Sequence, residues 1–87
     1  MIENNLSKYR KSVDLTQSKF ADLIGITPRS YQRYEKGERY LNTLPMACIC
    51  RMFDISIEKI YPKIFIELGE KINKINDIRR NRLFGKK

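Results

Sequence analysis

The sequence contains no histidine and no tryptophan, and only two of its 87 residues are cysteines. Without histidine, the chain lacks the commonest general base and the commonest metal ligand. Cys48 and Cys50 have no second cysteine pair, so neither a zinc ribbon nor a disulfide framework can form. No glycine-rich phosphate-binding loop is present either. We therefore expect a protein that is not an enzyme and that binds no metal, cofactor or small-molecule ligand.

Long hydrophobic runs are also missing. No stretch approaches the roughly 20 apolar residues that a membrane span needs. The first residues, Met1 to Leu6, show no basic-then-apolar signal pattern, so we expect a cytoplasmic protein. Hydrophobic residues make up 41% of the chain, which is enough for a small helical core.

Negative charge is scarce compared with positive charge. The chain has 18 Lys and Arg residues against 10 Asp and Glu residues, which gives a net charge of +8 and a pI of about 9.7. Residues 63–87 carry eight basic and three acidic side chains, and therefore +5 of this total. Such an excess points to a polyanionic partner: nucleic acid first, an acidic membrane surface second and an acidic protein third. We favour nucleic acid and expect no membrane partner.

The apolar residues recur with helical periodicity along almost the whole chain. The first helix follows the apolar stripe Leu6, Tyr9 and Val13, and the second has Phe20, Ala21, Leu23 and Ile24 on its apolar side. The spacing and capping residues place the second helix over Gln17–Ile24 and predict three further helices over Pro28–Lys36, Leu44–Phe53 and Ile57–Tyr61. Ser56 is the predicted cap of the last of these helices. We predict an all-α fold, with one domain of five helices over residues 1–62 and a basic amphipathic helix or tail over residues 63–87.

The second and third predicted helices are joined by a very short turn. Gly25 suits the left-handed conformation at the end of one helix, and Thr27 with Pro28 is a strong start for the next. A small residue, Ala21, allows the two helices to approach closely. These are the requirements of a helix-turn-helix motif. The outer face of the third helix then carries Arg29, Ser30, Gln32 and Arg33. Long donors of this kind suit the major groove of DNA.

The sequence LTQSKFADLIGIT at residues 15–27 resembles the helix-turn-helix of the Cro/phage-repressor class of regulators. The similarity continues through YEKG at 34–37 and FDISI at 53–57, and it covers about residues 5–61. The resemblance implies a five-helix domain that binds double-stranded DNA as a homodimer on a pseudo-palindromic operator. We therefore expect a transcription regulator that acts as a repressor and inserts its third helix in the major groove.

The candidate site residues follow from this resemblance and from the exposed face of the third helix. The base-reading candidates are Thr27, Arg29, Ser30 and Arg33. The candidates for contacts with the DNA backbone are Thr16, Gln17, Lys19, Gln32, Lys36, Arg39, Tyr40 and Asn42. The resemblance also implies a structural ion pair between Arg10 and Glu35. An alternative stays open for Tyr40, which could equally cover the core. Pro28 is a departure from the resemblance: it stands where relatives often have a base-reading polar side chain, so we expect that contact to be lost.

The tail after Pro62 has no counterpart in the resemblance. Its apolar stripe predicts an amphipathic helix with the dimerisation candidates Phe65, Leu68, Ile72 and Ile75. The stripe can complete a dimer interface, dock back on the domain or hold a partner protein, and we favour dimerisation. The alternative function is an antitoxin-type or other protein-interaction module that binds a partner through this helix. Its basic end, with Arg79, Arg80, Arg82, Lys86 and Lys87, either contacts phosphates or trails in solvent.

Overall fold

The structure is a computed structural model that describes the backbone of residues 1–83 and the side chains of residues 1–79. This part of the chain contains six helices and no strand, which confirms the predicted all-α fold class. The helices are α1 (Leu6–Ser12), α2 (Gln17–Leu23), α3 (Pro28–Glu35), α4 (Thr43–Phe53), α5 (Ile57–Ile60) and α6 (Ile64–Leu83). The side chains of Arg80, Arg82, Lys86 and Lys87, which the sequence assigns to a basic end, lie outside the described residues.

The starts of α2 and α3 are fixed by threonine caps, as predicted. The Thr16 hydroxyl accepts a hydrogen bond from the Lys19 N–H at 3.2 Å, and the Thr27 hydroxyl accepts one from the Ser30 N–H at 3.1 Å. Each bond satisfies a backbone donor that has no partner within its helix. Between the two helices, Gly25 has φ +80°, a conformation that costs glycine little. The chain can therefore reverse direction within a few residues.

The core lies between the first five helices, α1 to α5. The Phe20 ring of α2 meets the Tyr31 ring of α3 edge-on, with centroids 5.4 Å apart. This geometry is favoured by the quadrupoles of the two rings. The buried hydrophobic residues are Leu6, Phe20, Ala21, Ile24, Tyr31, Tyr34, Leu41, Met46, Ile49, Ile60 and Tyr61. Because Tyr31 and Tyr34 are both buried, the rotation of α3 about its axis is fixed by packing.

The N-terminal segment before α1 ties the ends of two helices together. The Ile2 N–H donates to the Gly37 carbonyl at 2.9 Å, and the Asn5 N–H donates to the Ile60 carbonyl at 2.8 Å. The Asn5 side-chain amide adds a bond to the Lys59 carbonyl at 2.9 Å. Gly37 has φ +83°, and a Cβ there would lie 2.4 Å from the Ile2 carbonyl oxygen. Glycine is therefore required at this position by both its conformation and the close approach of the N-terminal segment.

The first turn of α6 is anchored to the rest of the fold. Ile64 packs against the core, and Lys63 just before the helix forms an exposed ion pair with Glu3 at 3.5 Å. The Tyr40 hydroxyl donates a hydrogen bond to the Glu67 carboxylate. Beyond this turn the described side chains of α6 are exposed or only partly buried. Of the helices described, none is sufficiently long and apolar to span a membrane.

Three details of the predicted helices are wrong. Val13 does not lie on the buried face of α1, because the helix ends at Ser12 and Val13 is 43% exposed. Leu23 is 54% exposed, because the buried arc of α2 is centred between Phe20 and Ala21 and Leu23 falls outside it. Ser56 stands at the start of α5, but its hydroxyl donates to the Glu58 carboxylate at 3.4 Å and caps no helix N–H.

Candidate nucleic-acid interface

The outer face of α3 carries long polar side chains that are free of intramolecular ion pairs. Arg29, Gln32 and Arg33 are all exposed, whereas Tyr31 and Tyr34 on the opposite side are buried. The only ion pairs described in residues 1–79 are those of Arg10 with Glu35 and Lys63 with Glu3. The donors of Arg29 and Arg33 are therefore available to an outside acceptor. A guanidinium can bind guanine O6 and N7 with two bonds at once.

The two hydroxyl candidates at the start of α3 are bonded to each other. The Thr27 hydroxyl donates to the Ser30 Oγ at 2.9 Å while it accepts from the Ser30 N–H. Thr27 is exposed and Ser30 is half-buried. With one hydroxyl proton held between the two oxygens, the pair keeps one hydroxyl proton that it can donate to a base or phosphate acceptor.

Glu35 at the end of α3 holds three parts of the fold together. Arg10 Nε lies 3.0 Å from Glu35 Oε2, and Arg10 Nη2 lies 3.3 Å from Oε1. The Gln17 side-chain amide donates to the same Oε1 at 3.1 Å, and Arg10 Nη1 donates to the Leu15 carbonyl at 2.8 Å. This network connects α1, the start of α2 and the end of α3. The ion pair that the resemblance implies is therefore present, and it positions the helix that carries the exposed arginines.

The charges of this network are stabilised by their neighbours. Burial alone would raise the pKa of Glu35, but the hydrogen-bonded Arg10 side chain, the nearby Tyr31 hydroxyl and the hydrogen-bonded Gln17 amide outweigh it and lower the pKa below its usual range. The hydrogen bond to Glu35 raises the pKa of Arg10. Burial, and next the Glu35 carboxylate, raise the pKa of the Tyr31 hydroxyl. All three groups therefore keep their ordinary charge states at neutral pH.

The candidates at the start of α2 lie close to the end of α3, because Gln17 reaches Glu35. One amide hydrogen of Gln17 is used in that bond, and the other is free to donate. Thr16 is exposed, and its hydroxyl oxygen is occupied by the cap of α2. Lys19 is exposed two residues beyond Gln17. Gln17 therefore offers one free donor at the end of α3, whereas Lys19, two positions further along α2, points to another side of the helix and lines a cleft with Pro28 at the start of α3.

The loop after α3 supplies further donors but not Tyr40. Lys36, Arg39 and Asn42 are all exposed. The Tyr40 ring instead packs edge-on against the Tyr61 ring at 4.8 Å, and its hydroxyl is bonded to Glu67 of α6. That bond raises the pKa of the Tyr40 hydroxyl. Of the two alternatives for Tyr40, the structure favours packing against the fold, and we leave it out of the proposed DNA contacts.

One positioning residue was not predicted from the sequence. The Asn4 side-chain amide lies 3.3 Å from the carbonyl oxygens of both Tyr34 and Glu35, at the end of α3. Its Oδ1 accepts the Leu6 N–H at 3.0 Å, at the start of α1. Only the second of these bonds has a local signal in the sequence, because an asparagine side chain commonly accepts the backbone N–H two residues further on.

These features define a class of protein: a small all-helical unit in which a short helix pair presents an exposed, basic helix face. The helix-turn-helix family model matches residues 6–60, which include the whole of α1 to α5. The chain therefore belongs to the helix-turn-helix family, in its Cro/C1-type branch of DNA-binding transcription regulators. The resemblance stated from the sequence is confirmed.

Three curated proteins illustrate this relationship. The antitoxin PezA of Streptococcus pneumoniae is 41% identical over 56 residues, which are 64% of this chain and 35% of PezA. The HTH-type transcriptional regulator YqaE of Bacillus subtilis is 33% identical over 82 residues, which are 88% of this chain and 69% of YqaE. The cryptic phage CTXphi transcriptional repressor RstR of Vibrio cholerae is 36% identical over 59 residues, covering 68% of this chain and 53% of RstR.

The chain thus spans about a third of the antitoxin's length and about half of the phage repressor's length. No solved structure gives a significant match to the chain.

Proposed function

We propose that this protein is a transcriptional repressor that binds a specific double-stranded operator with α3 in the major groove. The observation that carries the proposal is the exposed face of α3, where Arg29 and Arg33 have no carboxylate partner among the described residues. The opposite face of α3 is held by buried tyrosines and by the Glu35 network. The base-reading side chains are therefore presented on a rigid support.

In this proposal the exposed donors divide into two groups. Arg29 and Arg33, with the Ser30 hydroxyl and Thr27 at the start of α3, contact base edges. A second set positions the protein on the phosphate backbone. It consists of Thr16, Gln17, Lys19, Gln32, Lys36, Arg39 and Asn42. The net charge of +8 supports both groups by attracting the polyanion from a distance.

We further propose that residues 1–62 bind DNA and that α6, within residues 63–87, makes the protein a homodimer. Phe65, Leu68, Ile72 and Ile75 are each between 42% and 55% exposed, although they share one stripe of α6. An unpartnered apolar stripe of this size favours association. A two-fold dimer would offer two copies of α3 to two half-sites about 34 Å apart, one turn of DNA.

The proposal is tested by selecting bound sequences from a randomised DNA duplex pool with the full chain. The selection is run at about 150 mM salt, because this weakens purely electrostatic binding. We expect enrichment of a palindromic sequence. Ile72→Asp, which places a charge in the stripe, should retain the half-site preference but lose the palindrome. Enrichment of no sequence, with binding that disappears steeply as salt rises, would contradict specific operator binding.

Two alanine variants separate base reading from backbone contact. Arg33→Ala should relax discrimination at one base pair by roughly 1–3 kcal/mol, whereas Arg51→Ala, an exposed arginine of α4, serves as the matched control with unchanged discrimination. Lys36→Ala should weaken binding to all duplexes similarly and reduce the salt dependence. An unchanged base preference in Arg33→Ala, or a base-specific effect in Lys36→Ala, would reassign these residues.

A second candidate function is an antitoxin-type module whose α6 binds a different protein. Two observations favour it: the similarity to PezA, which is named as an antitoxin, and the exposed stripe of α6. The two functions differ in the composition of the purified assembly. A second polypeptide that is bound by the full chain at a fixed ratio, and is lost from Ile72→Asp, would favour the antitoxin-type module. A homodimer without such a polypeptide favours the repressor.

A further inference from the structure

We propose that the first turn of α3 selects a thymine in each half-site through the C5-methyl group of that base, and that the Pro28 ring makes the contact. This inference rests on the proposed function and adds to it a specificity determinant that works without a hydrogen bond. It is carried by the exposure of Pro28, by the surroundings of its ring and by the chemistry of the base edges in the major groove.

Pro28 lies on the same side of α3 as the exposed arginines. It is the first residue of the helix, it is exposed, and Arg29 follows it directly. Gln32 lies one turn after Pro28, just as Arg33 lies one turn after Arg29, so the exposed face consists of two neighbouring rows. The residues at the start of a recognition helix are those that reach base edges. With α3 in the major groove, Pro28 is therefore placed for a base contact.

The contact that Pro28 can make is apolar. Its nitrogen carries no hydrogen, and its ring has no polar group, so the polar contact that the resemblance assigns to this position is lost. Thr27 just before it is exposed and carries a methyl group beside the hydroxyl that caps the helix. The first turn of α3 thus presents apolar atoms at one end of a face that is otherwise polar and basic.

The Pro28 ring stands beside open space and on a rigid support. A cleft of about 300 Å³ between α2 and α3 is lined by Ser18, Lys19, Asp22, Ile26 and Pro28. Ile26 is half-buried and packs against the core, and the Thr27 cap fixes the first turn of α3. A proline side chain loses no rotamer freedom when it is covered. A methyl group can therefore pack against the ring with little cost in conformational entropy.

Thymine is the base whose edge fits this surface. In the major groove, guanine and adenine present hydrogen-bond acceptors, adenine and cytosine present an amino donor, and thymine alone presents a methyl group. Pro28 cannot pair with a polar edge atom, so its contact with another base would leave a donor or acceptor dehydrated and without a partner. Thymine instead buries its methyl carbon against the ring, which favours binding by a factor of about four.

Uracil substitution in the selected operator tests the contact, because uracil differs from thymine only by lacking the methyl group. Each thymine of the operator recovered with the full chain is replaced by uracil, at symmetry-related positions together, and affinity is measured at one salt concentration. We expect one thymine in each half-site whose replacement weakens binding by about fourfold for each half-site bound. Replacement of a thymine that contacts no apolar side chain should change the affinity little.

Pro28→Ala assigns this methyl contact to the ring. Alanine is compatible with the start of a helix but lacks the outer ring atoms, so the ratio of thymine to uracil affinity should fall below about twofold for each half-site. Pro62→Ala makes the same change at another exposed proline, outside α3, and should leave the ratio unchanged. Because the ratio is taken within one variant, a change in overall affinity or stability does not alter it. An unchanged ratio in Pro28→Ala would overturn the role of the ring.

The outcomes separate this inference from the proposed function. A wild-type protein that binds every uracil-substituted operator as tightly as the thymine operator would overturn the methyl contact, while the enriched operator would still establish specific recognition. A selection that enriches no sequence would overturn both. The variant Arg33→Ala measures the contribution of the arginines to base preference, and its result does not depend on the methyl contact.

Discussion

Removal of the Arg10 side chain should destabilise the fold more than removal of any exposed charge. Arg10 donates two hydrogen bonds to Glu35 and one to the Leu15 carbonyl, and the Arg10 and Glu35 side chains are only 12% and 13% exposed. In Arg10→Ala, the Glu35 carboxylate stays largely buried with Gln17 as its remaining side-chain donor in good geometry. A stranded, mostly buried charge of this kind costs about 2–4 kcal/mol. This is a large fraction of the stability of a small domain.

Urea unfolding followed by circular dichroism measures this cost. All variants are compared at one protein concentration, because association contributes to the stability of an oligomer. Lys63→Ala is the matched control: it removes one partner of the exposed Lys63–Glu3 pair and should cost less than about 0.5 kcal/mol. A cost below about 0.5 kcal/mol for Arg10→Ala, equal to that of the control, would refute the argument that this network holds α3.

The same network predicts a pH dependence. The pKa of Glu35 is lower in the folded protein than its ordinary value of 4.5, so the charged carboxylate stabilises the fold above that value. This contribution is lost as the pH falls through the lowered pKa of the folded state. The difference in unfolding free energy between the wild type and Glu35→Gln should therefore be largest near pH 7 and shrink below pH 4.5. A difference that is constant from pH 7 to about pH 3 would contradict the lowered pKa.

Four further substitutions, one of them a control, test how the ends of α3 and α6 are held. Gly37→Ala should lower the free energy of unfolding by more than about 2 kcal/mol, because it combines a strained φ with a contact on the Ile2 carbonyl. Gly69→Ala is the control: the added Cβ meets no atom, and the change should raise helicity. Equal effects of the two substitutions on stability would refute this reasoning. Asn4→Ala, measured by urea unfolding, should cost about 1–2 kcal/mol, since it leaves the last carbonyls of α3 without their side-chain donor; no cost would exclude that role. Tyr40→Phe keeps the aromatic packing but loses the hydrogen bond to α6, so it should lower operator affinity without changing base preference in the selection assay.

Local chemistry explains the parts of the fold that the sequence predicts well. The Thr16 and Thr27 caps and the turn at Gly25 act within three or four residues, so their pattern is visible in a short stretch of sequence. The predicted helix ends differ from the structure by a residue: α2 stops at Leu23 and not at Ile24, and α4 begins at Thr43 and not at Leu44. Such ends depend on single hydrogen bonds, which periodicity does not specify.

Contacts between distant parts of the chain were not predicted from the residues alone. Asn4 reaches Tyr34 across 30 residues, and Tyr40 reaches Glu67 across 27 residues. Polar pairs of this kind carry no periodic signal, because each depends on how whole helices are placed. The Arg10–Glu35 pair was expected only because the sequence resembles a family in which that pair occurs. The assignment of individual side chains to bases or phosphates remains a prediction.

The supports of α3 and α6 meet in one small region, and this has a consequence for how the protein would read an operator. Gly37 receives the N-terminal segment at the end of α3, and Tyr40, three residues later, is bonded to the first turns of α6. The angle between α3 and α6 therefore depends on this short loop. In a dimer, that angle fixes the separation of the two α3 helices, and hence the spacing of the half-sites. Substitutions in the loop should alter the preferred spacing, whereas substitutions on the exposed face of α3 should alter the preferred bases.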